Sequence, residues 1–203
     1  MAKKQQLLED IASGAFGKGN HPWISSADFE RSGLYPEILR VYRNLGGRDI
    51  APKLKPGRWD IPLQGAIIEL DEENHFNRYR LTTLESPIYQ NCNSFNLEDY
   101  RSYCHLHELR CATLGKYWDT PSAARQFGQS NPTRGNLSGG GSSRWKQRAF
   151  NDFLKDAYSI ITGVPVIRIS IYDTFRNHTI GELLKCADIE ALEALLRTLI
   201  PGK

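Results

Sequence analysis

The stretch Ile67-Ile68-Glu69-Leu70-Asp71-Glu72-Glu73-Asn74-His75 runs from apolar residues into four carboxylates within five positions, and a histidine follows. Carboxylates gathered at a strand end can hold a hard divalent cation, and a histidine nearby can exchange a proton close to neutral pH. A solvated strand end, its charges turned to water, is the competing arrangement. In a strand, residues two apart share a face, so Ile67, Glu69 and Asp71 point one way and Ile68 and Leu70 the other. The two carboxylates then stand about 7 Å apart, at roughly 3.3 Å per residue.

Upstream, Trp59-Asp60-Ile61-Pro62-Leu63 reads as a partner strand joined through Gln64-Gly65. If that pair forms a two-residue turn, Leu63 pairs with Ala66 and Asp60 falls opposite Glu69. Opposed residues have Cβ atoms about 5 Å apart, where like charges repel. A bound Mg2+ reverses the sign of that argument, because it takes oxygen ligands from carboxylates, water and substrate phosphate. A shifted register would send Asp60 elsewhere. Pro62 marks its strand as an edge strand.

Several elements must position these groups. Short helices are expected over 5–12 and over 35–45, the second with Pro36 in its first turn and Gly46-Gly47 after it. A helix over 96–114 has Asn96 as its cap and Glu98 and Asp99 in its first turn. The segment FGQSNPTRGNLSGGGSS reads as a loop, and RWKQRAFNDFLKDAYSII (144–161) as an amphipathic helix. A strand over 164–172 and a last helix capped by Asp188 complete an α/β or α+β pattern.

The bulk composition sets limits. A length of 203 residues suits one domain, and 40% apolar with 24% charged residues is ordinary for a globular protein. A net charge of +3 is too weak for a whole-chain argument for nucleic acid, so any such argument must be local. No apolar run is long enough to span a membrane, and the first residues lack a signal-peptide core. The four cysteines then read as reduced thiols of a cytoplasmic protein.

The succession GLYPEILRVYRNLGG, PGRWDI, IIELDEENH, RWKQRAFNDFLKD and GVPVIRISIY resembles the PD-(D/E)XK nuclease superfamily. It is similar above all to the branch that includes the very-short-patch repair endonucleases. The resemblance covers about 35–80 and 143–173 and rests on the order of short motifs. It implies a restriction-endonuclease-like fold: a mixed central sheet flanked by helices, in a single domain. The core would lie at about 31–80 and 143–175, a helical insertion at about 81–142, and a C-terminal helix at about 188–200.

The resemblance further implies Asp60 and Glu69 as ligands of Mg2+ (or Mn2+). Asp71 stands where the superfamily most often has lysine, and would join the metal. His75 matches the branch's histidine, a general base or water-positioning group, and Glu37 matches the first-helix glutamate. Glu72 replaces the usual glycine, and Lys146 or Lys155 would have to supply the missing motif lysine. The implied activity is metal-dependent hydrolysis of phosphodiester bonds in double-stranded DNA, in restriction or repair. Pairing of two chains as a homodimer to cut both strands stays open.

Local basic clusters agree with a phosphate partner. From Arg31 to Arg58 there are seven Lys and Arg against Glu37 and Asp49. Around the late helix Arg134, Arg144, Lys146, Arg148 and Lys155 outweigh Asp152 and Asp156. Such groups can follow a phosphate backbone, though any one of them alone reads first as a solvated helix charge. In YCHLHELRC, Cys104, His107, Glu108 and Cys111 share a helical face. Cys104 and Cys111 would be roughly 10 Å apart along the axis. Two ligands of one Zn2+ lie only about 4 Å apart, so a pair such as Cys104 and His107, completed by Cys92 or another residue, is the most a single zinc could use. Buried free thiols are the other reading. Two further function classes stay open: a catalytically inactive nucleic-acid-binding protein, and a zinc- or partner-binding interaction module.

Overall fold

The structure, a computed structural model, describes residues 3–91, 94–113 and 118–200. Among them the helices and strands run α1 (Lys3–Phe16), α2 (Ser26–Arg31), α3 (Tyr35–Asn44), β1 (Ile61–Leu63), β2 (Ala66–Asp71), α4 (Arg78–Leu84), α5 (Leu97–Leu106), α6 (Glu108–Thr113), α7 (Pro121–Phe127), α8 (Ser143–Thr162), β3 (Val166–Ser170), β4 (Thr174–Phe175), β5 (His178–Thr179), α9 (Ile180–Cys186) and α10 (Ile189–Leu199). The class is mixed α+β. No helix among these residues is long and apolar enough to cross a membrane.

The chain divides into two compact units, each built from separate segments. The first holds residues 1–23, 58–72 and 163–203; the second holds 24–57 and 73–162. α3 and α8 belong to the second unit, and β1, β2 and β3 to the first.

The first unit is organised by a three-stranded sheet in the order β1-β2-β3, antiparallel then parallel. The expected register is found, with Leu63 opposite Ala66 and Ile61 opposite Ile68. Of the two turn residues only Gly65 has positive φ, +93°. That is the pattern of a type II turn, which accepts glutamine before the glycine. Pro62 does lie on an edge strand, and the chain after α1 runs along it: the Gly19 N–H donates to the Pro62 carbonyl (3.0 Å) and the Gln64 N–H to the Gly17 carbonyl (3.1 Å). A Cβ at Gly19 would come within 2.2 Å of the Leu63 carbonyl oxygen, so this close approach requires glycine. One face of the sheet presents Ile61, Leu63, Ile68, Leu70, Ile167 and Ile169 to a core shared with Leu8 and Ala12 of α1, Leu183 of α9 and Leu192 and Leu196 of α10. Each such fully buried aliphatic side chain contributes about 1.5–3 kcal/mol.

The second unit is helical and gathers around α8, against which α4 and α7 pack. Aromatic side chains fill it: Phe127 meets Tyr42 and Phe150 edge to face, Tyr42 meets Phe150 at a tilt, and Tyr89 meets Phe153 edge to face. The helix expected over 96–114 starts as anticipated, with Asn96 Oδ1 accepting from the Glu98 and Asp99 N–H groups. It breaks at His107 into α5 and α6. Directly after the break, the Glu108 carboxylate accepts from the Arg78 N–H and from its guanidinium at 2.8–2.9 Å, which ties α6 to the start of α4.

Candidate functional site

In the first unit the acidic groups sit where strand alternation puts them. Continuing the observed register one step beyond Ile61 and Ile68 sets Asp60 opposite Glu69. The two side chains cross: the Asp60 N–H donates to Glu69 Oε1 at 3.1 Å, and the Leu70 N–H donates to Asp60 Oδ2 at 3.1 Å. Each carboxylate is thus fixed by the backbone of the opposing strand. Glu69 is buried, while Asp60 is partly exposed and is also approached by Gln5 Nε2.

Asp71 lies on the same strand face, with both oxygens 2.9 Å from Arg168 Nη1. Arg168 is the register partner of Glu69 on the parallel strand β3, so its side chain emerges beside that carboxylate. Arg168 and Asp71 are 2% and 1% exposed, so water does little to screen the pair. Asp71 could therefore reach an ion only by sharing its oxygens with the guanidinium. Arg168 was not among the expected site residues. Its signal was a lone charge inside the apolar alternation Val166-Ile167-Arg168-Ile169-Ser170.

In the second unit, His75 closes a short 3-10 turn (Glu73–His75) directly after β2. Its Nδ1 lies 2.9 Å from Oδ2 of the buried Asp152 on α8. A carboxylate on one ring nitrogen orients the ring and fixes its tautomer. In the sequence Asp152 stands out only as a counter-charge to the basic residues around it. One helical line joins Trp145, Ala149, Asp152 and Asp156 at i, i+4, i+7 and i+11, so both acids lie in the buried stripe of α8. Asp156 uses that position to accept from Arg80 Nη2 (3.0 Å) and the Tyr89 hydroxyl (2.6 Å).

The other expected residues are dispersed. Glu37 is held by the Arg40 guanidinium at 2.6 and 2.7 Å and by the Ser86 hydroxyl, and Arg40 above all keeps its carboxyl below the usual range. Arg144 and Arg148 share one side of α8, and Lys146 points elsewhere, roughly 200° round the axis from Arg144. Lys146 lies 5.5 Å from the Tyr79 ring, and burial, then the charge of Arg48, lowers its pKa. Arg144 donates to Gln147 Oε1 at 2.6 Å, and burial lowers its pKa also. Arg58 and Arg134 are exposed, and Lys155, the alternative source of the motif lysine, is buried. The basic groups therefore do not form one continuous face of α8.

Cys104 and Cys111 are buried free thiols, and Cys92 lies outside the described residues. Among the described residues no cysteine joins two other ligand side chains near enough to hold one ion. Burial pushes the Cys111 thiol up to about 12, against the opposing hydrogen bond from Asn77. At pH 8 Cys111 then stays almost wholly the unreactive thiol. Brief treatment with iodoacetamide at that pH should alkylate exposed Cys186 and leave Cys111 intact until the protein is unfolded, as peptide mass spectrometry can read.

The sequence profile of a family of unknown function (DUF7255) matches residues 40–186, more than half of the chain. The chain belongs to this family. The DUF7255 span takes in Asp60, Glu69, Asp71, His75, Asp152 and Arg168, and leaves α1, α10 and Glu37 outside. No curated protein and no solved structure matches the chain.

Proposed function

We propose that this DUF7255 protein is a divalent-metal-dependent DNA endonuclease with a restriction-endonuclease-like core. The observation that carries the reading is the opposition of Asp60 and Glu69 across the β1–β2 hairpin, with their carboxylates fixed by backbone N–H groups. Two such carboxylates are the hard oxygen donors that Mg2+ or Mn2+ takes, so the donor set fits the ion. When bound, the ion supplies charge stabilisation at the phosphate and a more acidic water. Asp60 and Glu69 would hold it, and the crossed hydrogen bonds keep their side chains from reorienting. Arg168 balances the charge of Asp71 on the same face. The motif resemblance of the sequence supports the same reading.

His75 is the proton-handling group of the second unit, oriented by Asp152. A general base contributes roughly 10^2–10^4-fold to rate. His75→Ala is expected to slow DNA cutting by about 10^2-fold, and Asp152→Asn to slow it in the same direction. A plasmid-nicking time course checks both.

The Arg168–Asp71 pair favours a second reading, DNA binding without cleavage, because it neutralises one of the three strand carboxylates with a fixed protein charge. Incubation with plasmid and genomic DNA in Mg2+, in Mn2+ and in EDTA separates the two. Cleavage only with metal is expected. Retention of DNA with no cutting across unmodified and modified substrates would instead establish the binding reading.

A further inference from the structure

The second unit contains a cavity of about 210 Å³ that the nuclease reading does not use. Lys53, Lys55, Gln126, Gln147, Phe150 and Asn151 line it. It is smaller than the roughly 300–1,000 Å³ of sites that take drug-sized ligands.

Its polar groups are prearranged. Gln147 and Asn151 are one turn apart on α8 and so face the same way. Gln147 is fixed at both ends, its Oε1 accepting from Arg144 (2.6 Å) and its Nε2 donating to Gln126 Oε1 (3.1 Å). That second bond determines the Gln126 amide, whose Nε2 donor meets no acceptor among the described residues. Asn151 is oriented by donating from Nδ2 to the carbonyls of Lys55 and Gln147, at 3.2 Å each. The remaining acceptor, Oδ1, then stands beside Gly57, where an added Cβ would come within 3.3 Å. The cavity wall thus offers an amide donor and an amide acceptor, with the exposed Lys53 and Lys55 at its mouth.

We propose that this cavity receives a single unstacked nucleotide whose base presents, on its Watson–Crick edge, an amino group beside an acceptor ring nitrogen: adenine or cytosine. Asn151 Oδ1 accepts from the amino group, Gln126 Nε2 donates to the ring nitrogen, and Lys53 and Lys55 take the adjoining phosphate. Asn and Gln amides read this donor–acceptor edge of adenine in DNA grooves, and enzymes that extrude a base read it in a small pocket by its hydrogen-bonding edge. The proposal deepens the DNA-directed reading above and depends on it for its biological substrate.

The test is binding of the four deoxynucleoside 5′-monophosphates, the matching nucleosides and inorganic phosphate to the full chain in EDTA, by calorimetry. dAMP or dCMP is expected to bind at least tenfold more tightly than dGMP and dTMP. Gln126→Glu, which keeps the acceptor for Gln147 and removes the donor, should abolish that preference. K53A/K55A should weaken the monophosphates and leave the nucleosides unchanged. Equal binding of all four nucleotides, a site that takes phosphate alone, no binding at all, or an unaltered preference in Gln126→Glu would each overturn the proposal. Because no metal is present, the result stands apart from cleavage: base-selective binding by a protein that cuts no DNA would keep the pocket and remove the nuclease reading.

Discussion

Glu69→Gln is expected to reduce Mg2+-dependent cutting of DNA by on the order of 10^2–10^3-fold while the protein remains folded. A metal ion supplies several kcal/mol of charge stabilisation to such a reaction, and each 1.36 kcal/mol is a tenfold change in rate. Glutamine has nearly the shape of glutamate and retains an oxygen to accept the Asp60 N–H, so the crossed bonds of the hairpin persist. What it lacks is the second negative charge facing Asp60. A binding measurement isolates that loss from any change in fold. Wild-type protein should gain thermal stability as Mg2+ is added, because a ligand that binds only the native state stabilises it. The variant should not. Equal cutting rates, or an equal Mg2+-induced rise in Tm, would remove Glu69 from the metal site.

The hairpin that bears this prediction was legible because strand alternation and a two-residue connection fix register together. Knowing Gln64-Gly65 as the turn was enough to set Asp60 against Glu69. α3, α8 and α10 were legible for a similar reason, since each is long enough for the 3.6-residue period to emerge and has clear start or stop residues. The missed helices α2, α4, α7 and α9 have six or seven residues, too few for a period. They were announced by caps instead: Ser25, Asn77, Thr120 and Thr179 each accept a backbone N–H at the helix start, and Ser25 and Thr179 do so in full capping boxes. Partners distant in sequence were harder. Asp152 is 77 positions from His75, and Arg168 is 97 from Asp71. Sequence pattern could flag both as charges in apolar stripes, but only tertiary packing selects which charge answers them.

Removing one member of the Arg168–Asp71 pair should cost the first unit far more than breaking a surface ion pair. Replacing one member of a buried ion pair costs roughly 3–5 kcal/mol, because the other keeps its desolvation penalty and loses its counter-charge. Arg168→Met, which retains the bulk of the stem, is therefore expected to lower unfolding free energy by about that amount in urea titrations. Asp71→Asn should act in the same direction. The double variant should recover much of the loss, since neither residue is then charged, and a cycle of the four proteins measures the coupling. Surface pairs set the contrast. Arg197 and Glu193 approach to 2.6 Å on α10, yet their side chains are 60% and 40% exposed, so Glu193→Ala should cost no more than about 0.5 kcal/mol and less in salt. The Arg168→Met penalty should persist near 1 M salt, where the Debye length is about 3 Å, because counter-ions do not reach the pair. Additive single effects would mean that each side chain is held by its other surroundings. A loss that salt erases would mean that the sheet opens to water at this point.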